Sequence, residues 1–371
     1  MIRLGDVATY INGYAFKPKD RGEVGLPIIR IQDLTGNAYN LGFYDGEYPK
    51  KIEINDGDVL ISWSASLGIY VWNRGKALLN QHIFKVAFDK VEIDKKYFVY
   101  AVRHKLAEMG MKTHGATMKH IVKKDFDAIQ IPYPSLKEQM KIANNLDKIS
   151  KVIEDRKTEI MLLDNLIKAR FVEMFGDPRS NPFSFDEWML KDTCKVVTGN
   201  TPSRAVSEYY GNYVEWIKTD NIVSGLLNPT KATECLSEKG MEAGRIVERD
   251  SILMACIAGS IASIGRVCVT DRTVAFNQQI NAVVPEKYNV LFLYVLLQIS
   301  KDYLVEDVNM ALKGILSKSK LEEKKFIVPP IELQNQFADF VKQVNKSKVA
   351  VQKSLDETKL LFDSLMQQYF G

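Results

Sequence analysis

The sequence matches itself at an offset near 190 residues, the mark of one architecture built twice. Leu4-Gly5-Asp6-Val7-Ala8 with Gly13 recurs as Leu190-Lys191-Asp192-Thr193-Cys194 with Gly199, and Ile29-Arg30-Ile31-Gln32-Asp33-Leu34 as Ile217-Lys218-Thr219-Asp220-Asn221-Ile222. Asp58-Val59-Leu60 answers to Asp250-Ser251-Ile252, Gly68 to Gly265, and Asn80-Gln81-His82-Ile83 to Asn277-Gln278-Gln279-Ile280. The offset drifts through this stretch, as insertions in loops would make it. It then settles at 195, pairing Pro134 with Pro329, Gln139 with Gln334 and Phe175-Gly176 with Phe370-Gly371. A constant offset leaves no room for insertions, so this part is regular structure. The chain therefore reads as a globular unit (1–134), a helix (135–176), a turn-rich linker (177–188), a second unit (189–328) and a second helix (329–371).

Ser135 followed by Glu138, after Ile131-Pro132-Tyr133-Pro134, predicts a capped helix start. From there apolar residues fall at two positions in every seven: Ile142, Ile149 and Leu163, alternating with Leu146, Ile153, Ile160, Ile167 and Met174. Arg156 and Arg170 interrupt this seam. The second helix keeps the same phase with Phe337, Val344, Val351 and Leu365, alternating with Val341, Leu355, Phe362 and Tyr369, and is interrupted at Lys348 and Thr358. Such spacing is a coiled-coil seam. Roughly 38 residues at about 1.5 Å each make a rod of about 57 Å. A rod of that length does not fit inside either small unit, so the two rods are expected to pack on each other. Antiparallel pairing would relate the two units by a pseudo-twofold axis. A helical hairpin that only stabilises the fold is the alternative, but it does not account for helices matched in both length and phase.

Within the units, short β-type runs broken by Gly, Asn and Asp predict strands at Pro27 to Ile31, Asp58 to Trp63, Gly68 to Trp72 and His82 to Phe88, with counterparts in the second half. Helical stretches follow at about Lys95 to Glu108 and Val290 to Leu304. The fold class is α+β: two globular, mostly antiparallel-sheet domains, each followed by a long helix, with the helices pairing as an antiparallel coiled coil.

Polar residues recur at matched positions: Arg30, Gln32 and Asp33 against Lys218, Asp220 and Asn221, then Asn80 and Gln81 against Asn277 and Gln278. Amide and guanidinium groups suit base edges, since Asn or Gln pairs with adenine and Arg or Lys with guanine through two hydrogen bonds. Buried Asn and Gln also satisfy loop backbone, and recurrence of Asn-Gln in both units favours that structural role. Two further segments, Lys112 to His120 and Lys313 to Lys320, combine glycine, hydroxyls and cations. Lys112, His114, Thr117 and Lys119 in the first, with Lys313, Ser317 and Lys318 in the second, are suited to approach phosphates. An ordinary solvated loop fits these segments equally well.

A net charge of +4 permits an anionic partner without identifying one. Cys194, Cys235, Cys256 and Cys268 form no C-x-x-C pair, and reduced thiols in a cytoplasmic protein are expected. The start lacks a signal pattern, and the apolar stretch Ile252 to Gly265 is too short to span a bilayer, so no membrane association is expected. No phosphate-cradling G-x-x-x-x-G-K-[ST] and no Asn/Asp-Pro-Pro-aromatic motif occurs; Asn181-Pro182-Phe183 lacks the second proline. Glu322-Glu323-Lys324 has no upstream Pro-Asp partner and reads as a solvated face, and His114 with His120 is not a helical metal-ligand spacing. No catalytic residue, metal or cofactor is expected on this chain.

The Pro-x-x-x-x-Gln start of each helix (Pro134 to Gln139, Pro329 to Gln334) and the run Phe171 to Pro178, followed by Asn181-Pro182 and Trp188, resemble the specificity subunits of type I restriction-modification enzymes. Leu4 to Val7 and Gly57-Asp58-Val59-Leu60-Ile61 add to the resemblance, which covers essentially the whole chain. In the second half Leu253-Met254-Ala255-Cys256 replaces the more polar Ile61-Ser62-Trp63-Ser64. The resemblance implies that each unit is a target-recognition domain reading one half of a split, asymmetric site in double-stranded DNA. It implies that the helices set the gap and bind two modification subunits, and that restriction or translocase subunits join the full complex. S-adenosylmethionine, ATP and Mg would then sit on those partners. A methylation-only assembly on the same scaffold, or a stand-alone DNA-bridging or regulatory protein, are the other readings.

Overall fold

A computed structural model describes residues 1–36, 40–112, 121–306, 308 and 314–371, apart from the side chains of residues 110–112. The chain divides into two compact units: Met1–Asp155 with Leu355–Gly371, and Arg156–Ser354.

The first unit holds two four-stranded sheets where the sequence pattern predicts one. In the first sheet, Thr9–Asn12, Ile83–Ala87, Val59–Ser62 and Gly68–Val71 pair antiparallel throughout. In the second, Gly42–Tyr44, Leu26–Ile29, Ala77–Leu79 and Glu53–Ile54 lie in that order, and Leu26–Ile29 runs parallel to Ala77–Leu79. The second unit repeats this plan. Cys194–Thr198, Ile280–Pro285, Ile252–Ala255 and Val267–Val269 form the antiparallel sheet. Val214–Ile217 beside Val274–Phe276 is again the parallel pair of its neighbour. Ile31, expected at the end of a strand, instead opens a short helix, Ile31–Thr35. The helix after the sheets runs on to Lys112 in the first unit. In the second it breaks at Ser300 (φ −84°, ψ 16°) into Val290–Ile299 and Lys301–Val305.

Strand register tests the repeat residue by residue. Ile29 and Ile217 each end the parallel strand and accept a backbone hydrogen bond from Asn80 or Asn277 at 3.0 Å, as the sequence match requires. Gly13 and Gly199 recur because a Cβ there would lie 2.0 Å from the Asn80 carbonyl oxygen and 2.2 Å from that of Asn277. Two matches shift by one residue. Gly57 N–H donates to Trp72 as Asp250 N–H does to Thr270, so Gly57 is the equivalent of Asp250 and Asp58 of Ser251. Gly57 (φ 88°) and Asp250 (φ 63°) share the left-handed conformation, which aspartate tolerates better than most residues. Likewise Gly68 pairs with Ser62 as Arg266 does with Ala255, so Gly68 matches Arg266 and not Gly265.

The long helices are Leu136–Phe175 and Ile331–Phe370, 40 residues each. The Ser135 hydroxyl accepts the Glu138 N–H at 3.4 Å, and Gly176 (φ 73°) closes the first helix with its N–H on the Val172 carbonyl. In the first unit Ile142 and Leu146, near the start of one helix, share a core with Phe362, Leu365, Met366 and Phe370, near the end of the other. In the second unit the ends are exchanged: Ile167, Phe171 and Phe175 pack with Phe337, Val341 and Val344. Pairing is therefore antiparallel in each. Val351 and Leu355 are buried, whereas Ile149, Ile153, Ile160 and Leu163 are half-buried. The sequence seam omits Ala143, Phe171, Phe175, Ala338, Met366 and Phe370, each one residue past a seam position and each buried. At their ends the helices meet the sheet domain as well as each other, so the buried face widens beyond a two-in-seven stripe. The Phe171 ring stacks on Phe292 at 5.5 Å in the second unit, and Phe370 lies 5.3 Å from Tyr97 in the first.

The Pro-x-x-x-x-Gln motif has a physical reason. Gln139, buried, donates from Nε2 to the Pro134 carbonyl (2.9 Å) and accepts the Asp94 N–H on Oε1 (2.9 Å). Gln334 does the same with Pro329 (2.8 Å) and Asn289 (2.9 Å). Asp94 and Asn289 in turn cap the domain helices through the N–H groups of Tyr97 and Leu291. One amide thus joins the start of a long helix to the start of a domain helix. Replacing either glutamine with leucine strands two backbone groups, at about 1–3 kcal/mol each. Gln139→Leu and Gln334→Leu are each expected to lower the unfolding free energy by at least about 2 kcal/mol, read by denaturant titration. A loss below half a kcal/mol, of order one surface substitution, would contradict this role.

Candidate nucleic-acid interface

In both units the parallel strand runs into a turn headed by a cation. Arg30 precedes the Ile31–Thr35 helix, and the Asp33 carboxylate accepts the Arg30 backbone N–H (2.9 Å) and its Nε–H (3.0 Å). The guanidinium also donates to the Asn40 carbonyl, leaving the side chain 18% exposed. Arg74, stacked 4.5 Å above Trp72, donates to the Asp33 carbonyl at 2.8 Å. Gln32 is exposed on the same short helix.

In the second unit a neutral amide takes the place of the carboxylate. Asn221 Oδ1 accepts the Lys218 N–H (2.9 Å), and its Nδ2 donates to the Thr230 hydroxyl and the Lys231 carbonyl (3.2 Å each). With no carboxylate at the capping position, Lys218 reaches Glu234 at 2.7 Å. Arg204 binds the other carboxylate oxygen at 2.7 Å, and the two cations hold the Glu234 carboxyl below the usual carboxylate range. Arg204 lies 4.4 Å over Tyr210 and 5.2 Å over Trp216, with Lys218 5.1 Å from the Trp216 ring. Arg204 and Glu234 are 30 residues apart in sequence and have no periodic signal. Only the aromatic-rich run Tyr209 to Trp216 beside Lys218 hinted at this cluster.

Asn277 is used within its own turn: Oδ1 accepts the Gln279 N–H at 3.1 Å and Nδ2 reaches Gln279 Oε1 at 3.3 Å. In the first unit His82 takes that place with φ 70°, and Asn80 Oδ1 is buried without a hydrogen-bond partner among the described residues. Gln278 is exposed and accepts the Thr201 hydroxyl. Gln81 is exposed too. Ser317 caps the Lys318–Glu323 helix by accepting the Lys320 N–H (3.3 Å), and Lys318 pairs with Glu322 at 3.5 Å, so both act locally. His114, Thr117, Lys119 and Lys313 lie outside the described residues, as does the side chain of Lys112.

Among the described residues no three His, Cys, Asp or Glu side chains gather as a metal site would need, and no helix is long and apolar enough to cross a membrane. All four cysteines are free, and burial pushes the thiols of Cys194, Cys256 and Cys268 up to about 12. They are unreactive structural thiols at neutral pH.

What these matched turns and helices belong to is decided by comparison with known proteins. The profile of the type I restriction modification DNA specificity domain matches residues 1–162 and again 184–358. The chain belongs to this family of specificity subunits. The specificity subunit of the type I restriction enzyme EcoBI of Escherichia coli is 22% identical over 398 residues, covering 99% of this chain and 83% of that protein. That of MjaVIII of Methanocaldococcus jannaschii is 24% identical, covering 93% and 85%. The fold resembles that of the type I restriction-modification S subunit from M. genitalium, with a TM-score of 0.59 at 17% identity over 100% of this chain and 95% of that one. The specificity-subunit family thus accounts for both halves, and the paired matches repeat the internal duplication read from the sequence.

The two turns give a direct comparison of charge and cap. Asp33→Ala is expected to destabilise the first unit by about 2 kcal/mol, because it removes a helix cap and leaves Arg30 without its partner. Asp33→Asn, which reproduces the Asn221 turn, should lose less than half as much in the same denaturant titration. Equal losses would show that the ion pair, and not the cap, holds this turn.

Proposed function

We propose that each unit reads one half of a split, asymmetric double-stranded DNA site, with the paired long helices setting the unread gap. The observation that carries this reading is one scaffold repeated in strand register but faced with different polar residues, Arg30 and Asp33 in one unit against Lys218 and Asn221 in the other. A shared scaffold holds two surfaces in comparable geometry, and different faces read different sequences. Phosphate contacts supply affinity, whereas hydrogen bonds to base edges supply specificity.

The long helices also dock the modification subunits. Met161, Leu162 and Leu166 on the first, with Leu360 and Leu361 on the second, are exposed apolar side chains of the kind a partner covers. Methyl transfer with S-adenosylmethionine belongs to those two modification subunits, and ATP- and Mg-dependent translocation or cleavage to restriction subunits. The chain itself is a non-catalytic, cytoplasmic reader.

The test is selection of duplexes from a randomised DNA pool by the chain assembled with its modification subunits. Two-headed readers place their half-sites about one DNA turn apart, on the order of 10 bp between centres. The expected result is two short specified runs separated by roughly 5–8 unspecified base pairs. A single continuous specified run would contradict the proposal.

A further inference from the structure

We propose that Arg204 is a base-reading residue of the second unit, which Glu234 and Tyr210 hold ready for the major-groove edge of a guanine. This rests on the reading of that unit as a DNA-recognition domain and names the residue and base through which it acts.

The loop carrying Arg204 is fixed from several sides. Asn200 Nδ2 donates to the Ala243 carbonyl (2.9 Å), and Asn200 Oδ1 accepts the Arg245 N–H (2.7 Å). Trp216 Nε1–H donates to the Asn200 carbonyl (3.2 Å), and the Tyr210 hydroxyl to that of Pro202 (2.7 Å). The side chain is then oriented by two contacts of different kinds. Nη2 is held by Glu234 along one edge, and the guanidinium plane lies over Tyr210. Even so the side chain is 56% exposed, and neither Nε nor Nη1 donates a hydrogen bond among the described residues.

Arginine can also bind phosphate through its donor fork, but phosphate oxygens accept over a wide range of directions, so a fixed orientation matters less there. A planar donor fork gains a great deal, because guanine presents O6 and N7 as two acceptors in a fixed geometry. Groups that read bases work when their rotamers are locked by neighbouring contacts, and Glu234 and Tyr210 supply that lock. Lys218 shares Glu234, so the cluster keeps a net positive charge facing a polyanion. The first unit is built differently at the matched strand. Ile28 stands where Trp216 stands, and the Arg30 guanidinium is turned inward onto Asp33 and Asn40. Two half-sites of different sequence require this kind of difference. Arg204 is the reading group and Glu234 a positioning residue.

The experiment is the same duplex selection with the assembled complex, comparing the unsubstituted chain with Arg204→Ala, Arg204→Lys and Glu234→Gln. The unsubstituted complex should specify a G·C pair at one position of one half-site. Arg204→Ala and Arg204→Lys should both relax that position roughly 10- to 100-fold, with the rest of that half-site, the other half-site and the gap unchanged. The unchanged half-site is the control for folding. Glu234→Gln should relax the same position by less. Uniform weakening of all sequences, with a shallower salt dependence by about one charge, would make Arg204 a phosphate contact and overturn the inference. So would an unchanged preference, or two half-sites with no guanine sensitive to Arg204, and in those cases the split-site reading would stand. Absence of any half-sites with the unsubstituted complex would overturn both.

Discussion

The fold depends on the burial of both long helices' ends in the sheet domains. Met366 and Phe370, from the last turns of the chain, sit in the same core as Leu4, Tyr97 and Leu146 of the first unit. Phe337 and Val341, from the start of the second helix, sit with Phe171, Phe175 and Phe292 in the second. Burying a phenylalanine contributes about 1.5–3 kcal/mol, so these ends are a substantial part of each core. The first unit is therefore completed only by residues some 200 positions further along, a contact order that predicts slow closure and makes that unit dependent on the whole chain.

The polar frame follows from the same constraint. Backbone groups buried where a long helix meets its domain must be paired there, and Gln139 and Gln334 each pair two: the carbonyl of the proline before the long helix and the N–H of the residue that caps the domain helix. Once the frame is held in this way, the turns after the parallel strands are free to differ. Exchanging Asp33 for Asn221 keeps the cap and changes the charge, and the displaced need for a counter-ion is met by Glu234. The geometry of these turns is thus inherited from the scaffold, while their chemistry changes in a few side chains.

The helices were legible in the sequence because burial along a rod imposes a seven-residue rhythm that survives without alignment. What that rhythm missed, Phe171, Phe175, Met366 and Phe370, lies where a long helix meets a domain helix as well as its partner, and the rhythm no longer describes the buried face. Matched side chains located the repeated turns at Arg30 and Lys218 correctly. They erred by one at Asp58, where the conserved property is a left-handed backbone shared by Gly57 and Asp250, and not a side chain. Arg204 and Glu234 were invisible for a different reason. Their pairing joins the segment after Thr198 to the residue before Cys235, and nothing local announces which residues will meet.

The central claim is that the helices measure and the units read, and altering helix length alone separates the two. Removing one heptad from each long helix shortens the pair by about 10 Å, or roughly 3 bp of duplex. Duplex selection with such a protein should return the same two half-sites with the gap shortened by about that amount. Altered half-sites, or an unchanged gap with both half-sites intact, would contradict the division of labour between rod and reading heads.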